Sequence, residues 1–310
     1  MTIASEKLAT GIVRRDFLAF AATAAAAQCA AAMPAAAQSQ ASQPARDQPP
    51  AKPTIVLERL AMGVLLIGID RAEAQNRIDI ATFAALGQAY YEFEHDDSLR
   101  AGVLYGKGPD FSQGLDLASW GAGLRAGPFQ APPRFIDPLG TGGPERSKPL
   151  VVAVQGHVTR IAHELFLAAD VRVAAEDVVF NQGEVVAASF PGGGATIRFV
   201  REAGWANAMR YMLTGADWHA DDAHRMGLVQ EITAPGKQLD RATDLAKQIA
   251  AAAPLGVRAT LASARRALGE SEKLALATLQ PDFGRLLRSE DRQEYLRALQ
   301  EKRTPVYVGR

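Results

Sequence analysis

Cysteine is nearly absent: Cys29 is the single one among 310 residues, which excludes an internal disulfide and any cysteine-ligated zinc site. Charge of either sign is not in excess, since 34 basic side chains balance 34 acidic ones. Without a basic surplus the chain lacks the footprint of a nucleic-acid binder, and no such partner is expected. A long apolar run is missing as well. The stretch from Ala19 to Ala41 is mostly Ala and holds Thr23, Gln28 and Pro34, too mild for a stable membrane span. No G-x-x-x-x-G-K-[ST] run cradles a phosphate, and Gly121-Ala122-Gly123 lacks the strand-to-helix setting of a dinucleotide site. The G-x-S-x-G elbow of many serine hydrolases is absent. His157 and His163 would point to different faces of a helix, so no metal site is expected.

What is present begins with an address. Lys7, Arg14 and Arg15 precede a weakly apolar stretch, and Ala35-Ala36-Ala37 supplies the small residues a signal peptidase accepts. Arg14-Arg15-Asp16-Phe17-Leu18 resembles a twin-arginine export signal, with Val13 where Ser or Thr is usual and Ala19 where Lys is common. Residues 1–37 are therefore expected to be an export signal cleaved before Gln38, sending the protein to the periplasm or outside the cell. A disordered tail on a cytoplasmic enzyme is the alternative. Residues 38–53 are rich in Gln, Pro, Ala and Ser, a linker with nothing to bury. Residues 54–310 are read as one domain.

Within that domain, Thr54 to Leu60 and Val64 to Ile69 are β-rich runs joined by Ala61-Met62-Gly63, a hairpin signal. Phe83, Leu86, Tyr90 and Phe93 recur at spacings of 3, 4 and 3, which predicts an amphipathic helix from Asp79. Ala101 to Tyr105 and Val151 to Gln155 have the length and composition of buried strands, whereas Gly121 to Pro149 shows no sustained period. After Gly156, Ile161 to Ala169 reads as a short helix. Strands are expected at Val171 to Ala174, Val178 to Phe180 and Leu228 to Ile232, with helix between Gly194 and Leu213. From Leu239 to about Lys302 the pattern is helical. Strands alternating with helices, then a helical tail, predict an α/β layer fold.

Two segments carry chemistry. Phe111-Ser112-Gln113-Gly114-Leu115-Asp116-Leu117 follows a strand, and its glycine permits a turn that aims the next amide into a cleft. Val151 to Glu164 runs from a buried strand into a helix whose free first amides, near Ile161, sit at the positive end of its dipole. Two amides converging on one point would stabilise an oxyanion. Glu164 lies in the first turn of that helix, where a carboxylate also serves as an ordinary favourable helix-start charge. Glu184, in Phe180-Asn181-Gln182-Gly183-Glu184, reads by itself as a surface acid.

Together these segments resemble the crotonase superfamily, the enoyl-CoA hydratase/isomerase family, over essentially 54–310. The motifs are F-S-Q-G-L-D at Phe111 to Asp116; K-P-L-V-V-A-V-Q-G-H then E-L-F-L-A-A-D-V-R between Lys148 and Arg172; F-N-Q-G-E-V then P-G-G-G-A-T between Phe180 and Thr196; and the run from Leu213 to Glu231. The resemblance implies a spiral of ββα turns with C-terminal helices that pack homotrimers or hexamers. It implies an oxyanion hole from the backbone amides of Leu115 and Ile161. Glu164 and Glu184 then fall where family hydratases carry the general acid–base pair that adds water across the α,β-double bond of an acyl thioester. Gln113, Gly114, Asp116 and Leu117 would border the substrate. No cofactor is implied beyond coenzyme A as part of the substrate. Where many members have Gly-Gly-Gly, this chain has Arg160-Ile161-Ala162, which predicts a narrowed or reshaped acyl groove. Export would separate the enzyme from CoA, and some relatives cleave C–C bonds of β-diketones without it. An exported hydrolase or lyase on a β-dicarbonyl is therefore the alternative to a hydratase, with a non-catalytic binding protein on the same scaffold as a third reading.

Overall fold

The computed structural model of the chain describes residues 54–126, 129–266 and 287–306, with positions 268 and 284 besides. The export signal expected over 1–37, the linker over 38–53 and Cys29 lie outside the described residues. Strands β1 (Ile55–Leu60) and β2 (Val64–Ile69) form the expected hairpin, antiparallel with Leu60 opposite Val64. Next come helix α1 (Ile80–His95), β3 (Ala101–Gly106), α2 (Leu117–Ala126), β4 (Leu150–Val154), β5 (His157–Thr159) and α3 (Ile161–Leu167). They are followed by β6 (Val171–Ala175), β7 (Val179–Asn181), a single 3₁₀ turn at Glu184–Ala187, α4 (Ala195–Ala203), α5 (Trp205–Thr214) and β8 (Trp218–His219). Helix α6 (Ala220–Arg225), β9 (Glu231–Thr233), α7 (Gln238–Ala251), a helical stretch over 254–266 and α8 (Glu290–Glu301) complete the order.

Six strands form one sheet in the order β1-β2-β3-β4-β6-β9, parallel except for β1. Strands β2, β3 and β4 are buried along their whole length, as a parallel sheet covered on both faces requires, and this is why each reads as an unbroken apolar run. The faces separate at period two. Leu65, Ile67 and Ile69 pack with Phe83, Leu86, Tyr90 and Phe93 of α1. Val64 and Leu66 join Val103, Val151 and Val173 beneath α7, which presents Ala242, Ala246 and Ala250 at helical spacing. Asp79 starts α1 as foreseen, its carboxylate accepting the Thr82 amide at 2.6 Å.

A second sheet of three short strands, β5-β7-β8, lies just beyond the end of β4. Neither β5, which begins at His157, nor β8 carried a strand signal in the sequence. Helix α2 occupies part of the stretch read as irregular; the Asp116 carboxylate accepts the Ser119 amide at 3.1 Å and supports its start despite Gly121 and Gly123. Leu228 and Val229 are buried in the turn before β9, so the strand begins later than their hydrophobicity suggested. The whole is the α/β architecture with a helical C-terminal section that the sequence predicts. No helix among the described residues is long and apolar enough to cross a membrane.

Candidate active site

The site forms where the two sheets meet. From the end of β3 the chain runs beside β5: the Ser112 amide donates to the His157 carbonyl, and the Thr159 amide to that of Ser112. Gly114 turns at φ +90°, and a β-carbon there would sit 3.0 Å from the Thr159 carbonyl, so a glycine is what lets these segments close together. On the other side Ile78 donates to the Gly114 carbonyl at 2.8 Å and accepts the Asp116 amide at 2.9 Å. Leu115, bracketed by those bonds, keeps an N–H with no acceptor among the described residues. The Ile161 amide, first in α3, is likewise without one, while its neighbour Arg160 donates to Asn181. Both residues line a cleft of about 610 Å³ shared with Gln113, Asp116, Leu117, Arg160, Glu164 and Glu184.

The two glutamates enter the cleft from different elements. Glu164, 3% exposed, projects from α3, and its Oε1 accepts the Gly193 amide at 2.7 Å and the Ala195 amide at 3.2 Å. Glu184 opens the 3₁₀ turn and is 8% exposed, so the expectation of a surface acid is wrong. It follows β7 closely, and Phe180 and Gln182 just before it are fully buried as well. Its Oε1 accepts Gln182 Nε2 at 2.8 Å, and its Oε2 is buried with no hydrogen-bond partner among the described residues. Burial pushes both carboxyls well above the ordinary carboxylate range, and the Glu184 charge raises Glu164 further. The amides of Gly193 and Ala195, with Arg198 nearby, oppose the rise at Glu164; Arg160 and the Gln182 amide oppose it at Glu184. Burial thus favours the protonated form of each carboxyl more than water would, and the two titrations are linked.

Of the residues expected to border substrate, Gln113, Asp116 and Leu117 line the cleft. Gly114 does not line it; it shapes the turn behind. Gln113 also donates to Asp110, and Asp116 pairs with Arg71 at 3.5 Å. The histidines separate: His157 pairs with Asp110 at the surface, whereas His163 is fully buried. His163 Nδ1 meets Gln182 Oε1 at 2.5 Å among Phe166, Phe180, Phe199 and Trp218. Burial holds its pKa well below the imidazole range, at about 3, so the ring stays neutral. Gln182, Gly193 and Arg198 were not singled out from sequence, since their roles depend on partners 2, 29 and 59 positions away. The guanidinium of Arg198 clasps the Leu139 and Gly140 carbonyls, fixing one wall of the cleft.

Residues 59–310 match the family described as Enoyl-CoA hydratase/isomerase. Enoyl-CoA hydratase EchA19 of Mycobacterium tuberculosis is 30% identical over 271 residues, covering 83% of this chain and 97% of its own length. A carnitinyl-CoA dehydratase of Salmonella paratyphi A is 31% identical, covering 80% of this chain and 95% of its own. Among solved structures, a probable enoyl-CoA hydratase/isomerase from Mycobacterium abscessus is 45% identical, with a TM-score of 0.67 over 83% of this chain and 99% of that one. A carnitinyl-CoA hydratase from Mycobacterium avium is 33% identical, with a TM-score of 0.72 over 83% of this chain and 99% of its own.

Proposed function

The chain belongs to the enoyl-CoA hydratase/isomerase family, and from that membership we propose how its cleft works on an α,β-unsaturated acyl thioester. The thioester oxygen binds between the free amides of Leu115 and Ile161. Glu164 and Glu184 hold a water over the double bond. The ionised member of the pair takes a proton from that water as its oxygen bonds to the β-carbon. The π electrons move toward the thioester oxygen, where the two amides stabilise the enolate. The protonated member then delivers its proton to the α-carbon, and the pair regains its starting charge with one proton relocated. Gln113, Asp116 and Leu117 border the acyl thioester, and no cofactor is needed beyond the CoA the substrate carries.

The observation that supports this most is the meeting of two buried carboxyls with two unpaired amides in one cleft. The enoyl absorbance of crotonyl-CoA and longer enoyl thioesters, followed with purified protein, tests it. Loss of that absorbance is expected, and its persistence at every chain length sinks the hydratase reading. Glu164→Gln and Glu184→Gln should each slow turnover roughly 10²-fold or more.

A second reading rests on Arg14-Arg15 and Ala35-Ala36-Ala37: residues 1–37 export the folded enzyme, which then meets β-dicarbonyls rather than CoA esters and uses the same amides to stabilise the enolate of C–C cleavage. Fractionation decides it. Full-length protein in the cytoplasm removes this reading and restores CoA, whereas a periplasmic form beginning near Gln38 supports it. In either compartment we propose a homotrimer or a hexamer, measurable as mass in solution.

A further inference from the structure

Arg160 contrasts with three other arginines of the fold. Arg146 pairs with Asp170, Arg172 with Glu202, and Arg71 with Asp79 and Asp116. Arg160 lines the cleft beside Glu184 yet makes no hydrogen bond or ion pair from its side chain with any described residue, and its Nε is buried without a partner. Its backbone is also costly, at φ 55° and ψ −112°, outside the regions open to a residue with a β-carbon. A planar cation kept partly dry on a strained backbone, near the Glu184 charge but with no hydrogen-bond acceptor among the described residues, fits a ligand that supplies that acceptor.

We propose that Arg160 binds an anionic substituent on the acyl chain, so that the preferred substrate is a thioester whose chain carries a carboxylate beyond the reacting double bond. This rests on the hydratase reading for the placement of the thioester between Leu115 and Ile161. With the oxygen held there and the double bond at the glutamates, a carboxylate beyond the double bond is the acceptor that such a substrate offers to a guanidinium lining the same cleft. Its charge acts on Glu184, so it lies near that member of the pair. A guanidinium meets a carboxylate with two parallel N–H donors, which a flexible ammonium does not match. The phosphates of CoA offer the same chemistry from the other end of the substrate, and the experiment separates the two sources.

Equilibrium binding is measured with glutaryl-CoA and with its isostere in which an isopropyl group replaces the carboxylate, using the full chain and Arg160→Met, Arg160→Lys and Arg160→Gly. The wild type should bind glutaryl-CoA roughly tenfold or more tightly than the isostere. Arg160→Met and Arg160→Gly should abolish the preference and Arg160→Lys keep part of it. Thermal melts confirm that each variant is folded, and Arg160→Gly, which suits the local backbone, serves should Met distort it. Equal affinity of the wild type for both ligands overturns the proposal, as does a preference that survives in Met and Gly variants. An equal loss for both ligands also overturns it and assigns Arg160 to the CoA phosphates or to Glu184. Preference without turnover of the unsaturated counterparts overturns the hydratase reading alone; binding of neither thioester overturns both.

Discussion

The carboxylate of Glu164 accepts the Gly193 amide at 2.7 Å, and a β-carbon on residue 193 would lie 2.6 Å from its other oxygen. The glycine thus does two things for the acid: it donates to one oxygen and leaves room for the second. Gly193→Ala should push the carboxylate aside while leaving the fold intact. We expect turnover to fall roughly 10- to 100-fold with the melting temperature within about 2 °C of wild type, because in the acid–base role proposed for Glu164 a small displacement costs far more in rate than in stability. A variant with unchanged kcat would remove Glu164 from the chemistry or show that the loop yields freely.

The Gln182 amide stands between His163 and Glu184 and is fully buried. Because its Nε2 serves the Glu184 carboxylate, its carbonyl faces His163, which then donates from Nδ1. Gln182→Met preserves volume and strips both bonds, leaving a buried carboxylate oxygen and a buried imidazole donor unpaired. We expect about 2 kcal/mol of lost stability and a kcat reduced roughly tenfold with KM little changed, since the glutamate loses its orientation and not its contact with substrate. A shift in the pH profile of kcat should accompany it; a purely structural role would lower stability and leave that profile in place.

Much of this was legible beforehand, for reasons that particular residues make plain. Strands β2, β3 and β4 are apolar on both faces, and α1 repeats its apolar residues at 3 and 4 while Asp79 marks its start; local physics dictates these elements. Strands β5 and β8 are three and two residues long, too short to carry a period, and exist because they pair with β7. The same division runs through the site. The Leu115 and Ile161 amides are free because of what their neighbours bond, which a glycine and a helix start foreshadow. The burial of Glu184 and the grip of Gly193 on Glu164 are tertiary facts, the second written between residues 29 positions apart.

Stability should depend on pH through the glutamate pair. Burial raises Glu184 from its ordinary value near 4.5 to about 7 and Glu164 to about 8. Between those limits the folded state retains protons that the unfolded chain has already released, so stability is greatest on the acid side and declines as pH rises through 7 and 8. Glu164→Gln/Glu184→Gln keeps the acceptors for Gly193, Ala195 and Gln182 but removes the titration. Its melting temperature should gain on the wild type by several °C between pH 5 and pH 8, because each tenfold change in a carboxyl's proton affinity is worth about 1.4 kcal/mol. A difference that stays flat over that range would mean that the two carboxyls titrate normally.

Arg160→Gly gives an independent reading of the same loop through stability rather than binding. At φ 55° and ψ −112° a residue with a β-carbon stores roughly 1–3 kcal/mol, which glycine releases. The unfolded chain gains freedom with the substitution, offsetting about 0.5–1 kcal/mol of that. The side chain forfeits no hydrogen bond, since it makes none with the described residues. A net gain of about 1 kcal/mol should raise the melting temperature by roughly 2–4 °C in a chain of this size. If binding selectivity is lost in the same variant, the protein carries an arginine here at the expense of its own stability, as a residue retained for substrate would be. A lowered melting temperature would show instead that the Arg160 side chain packs the cleft wall and that its backbone is tolerated for that reason.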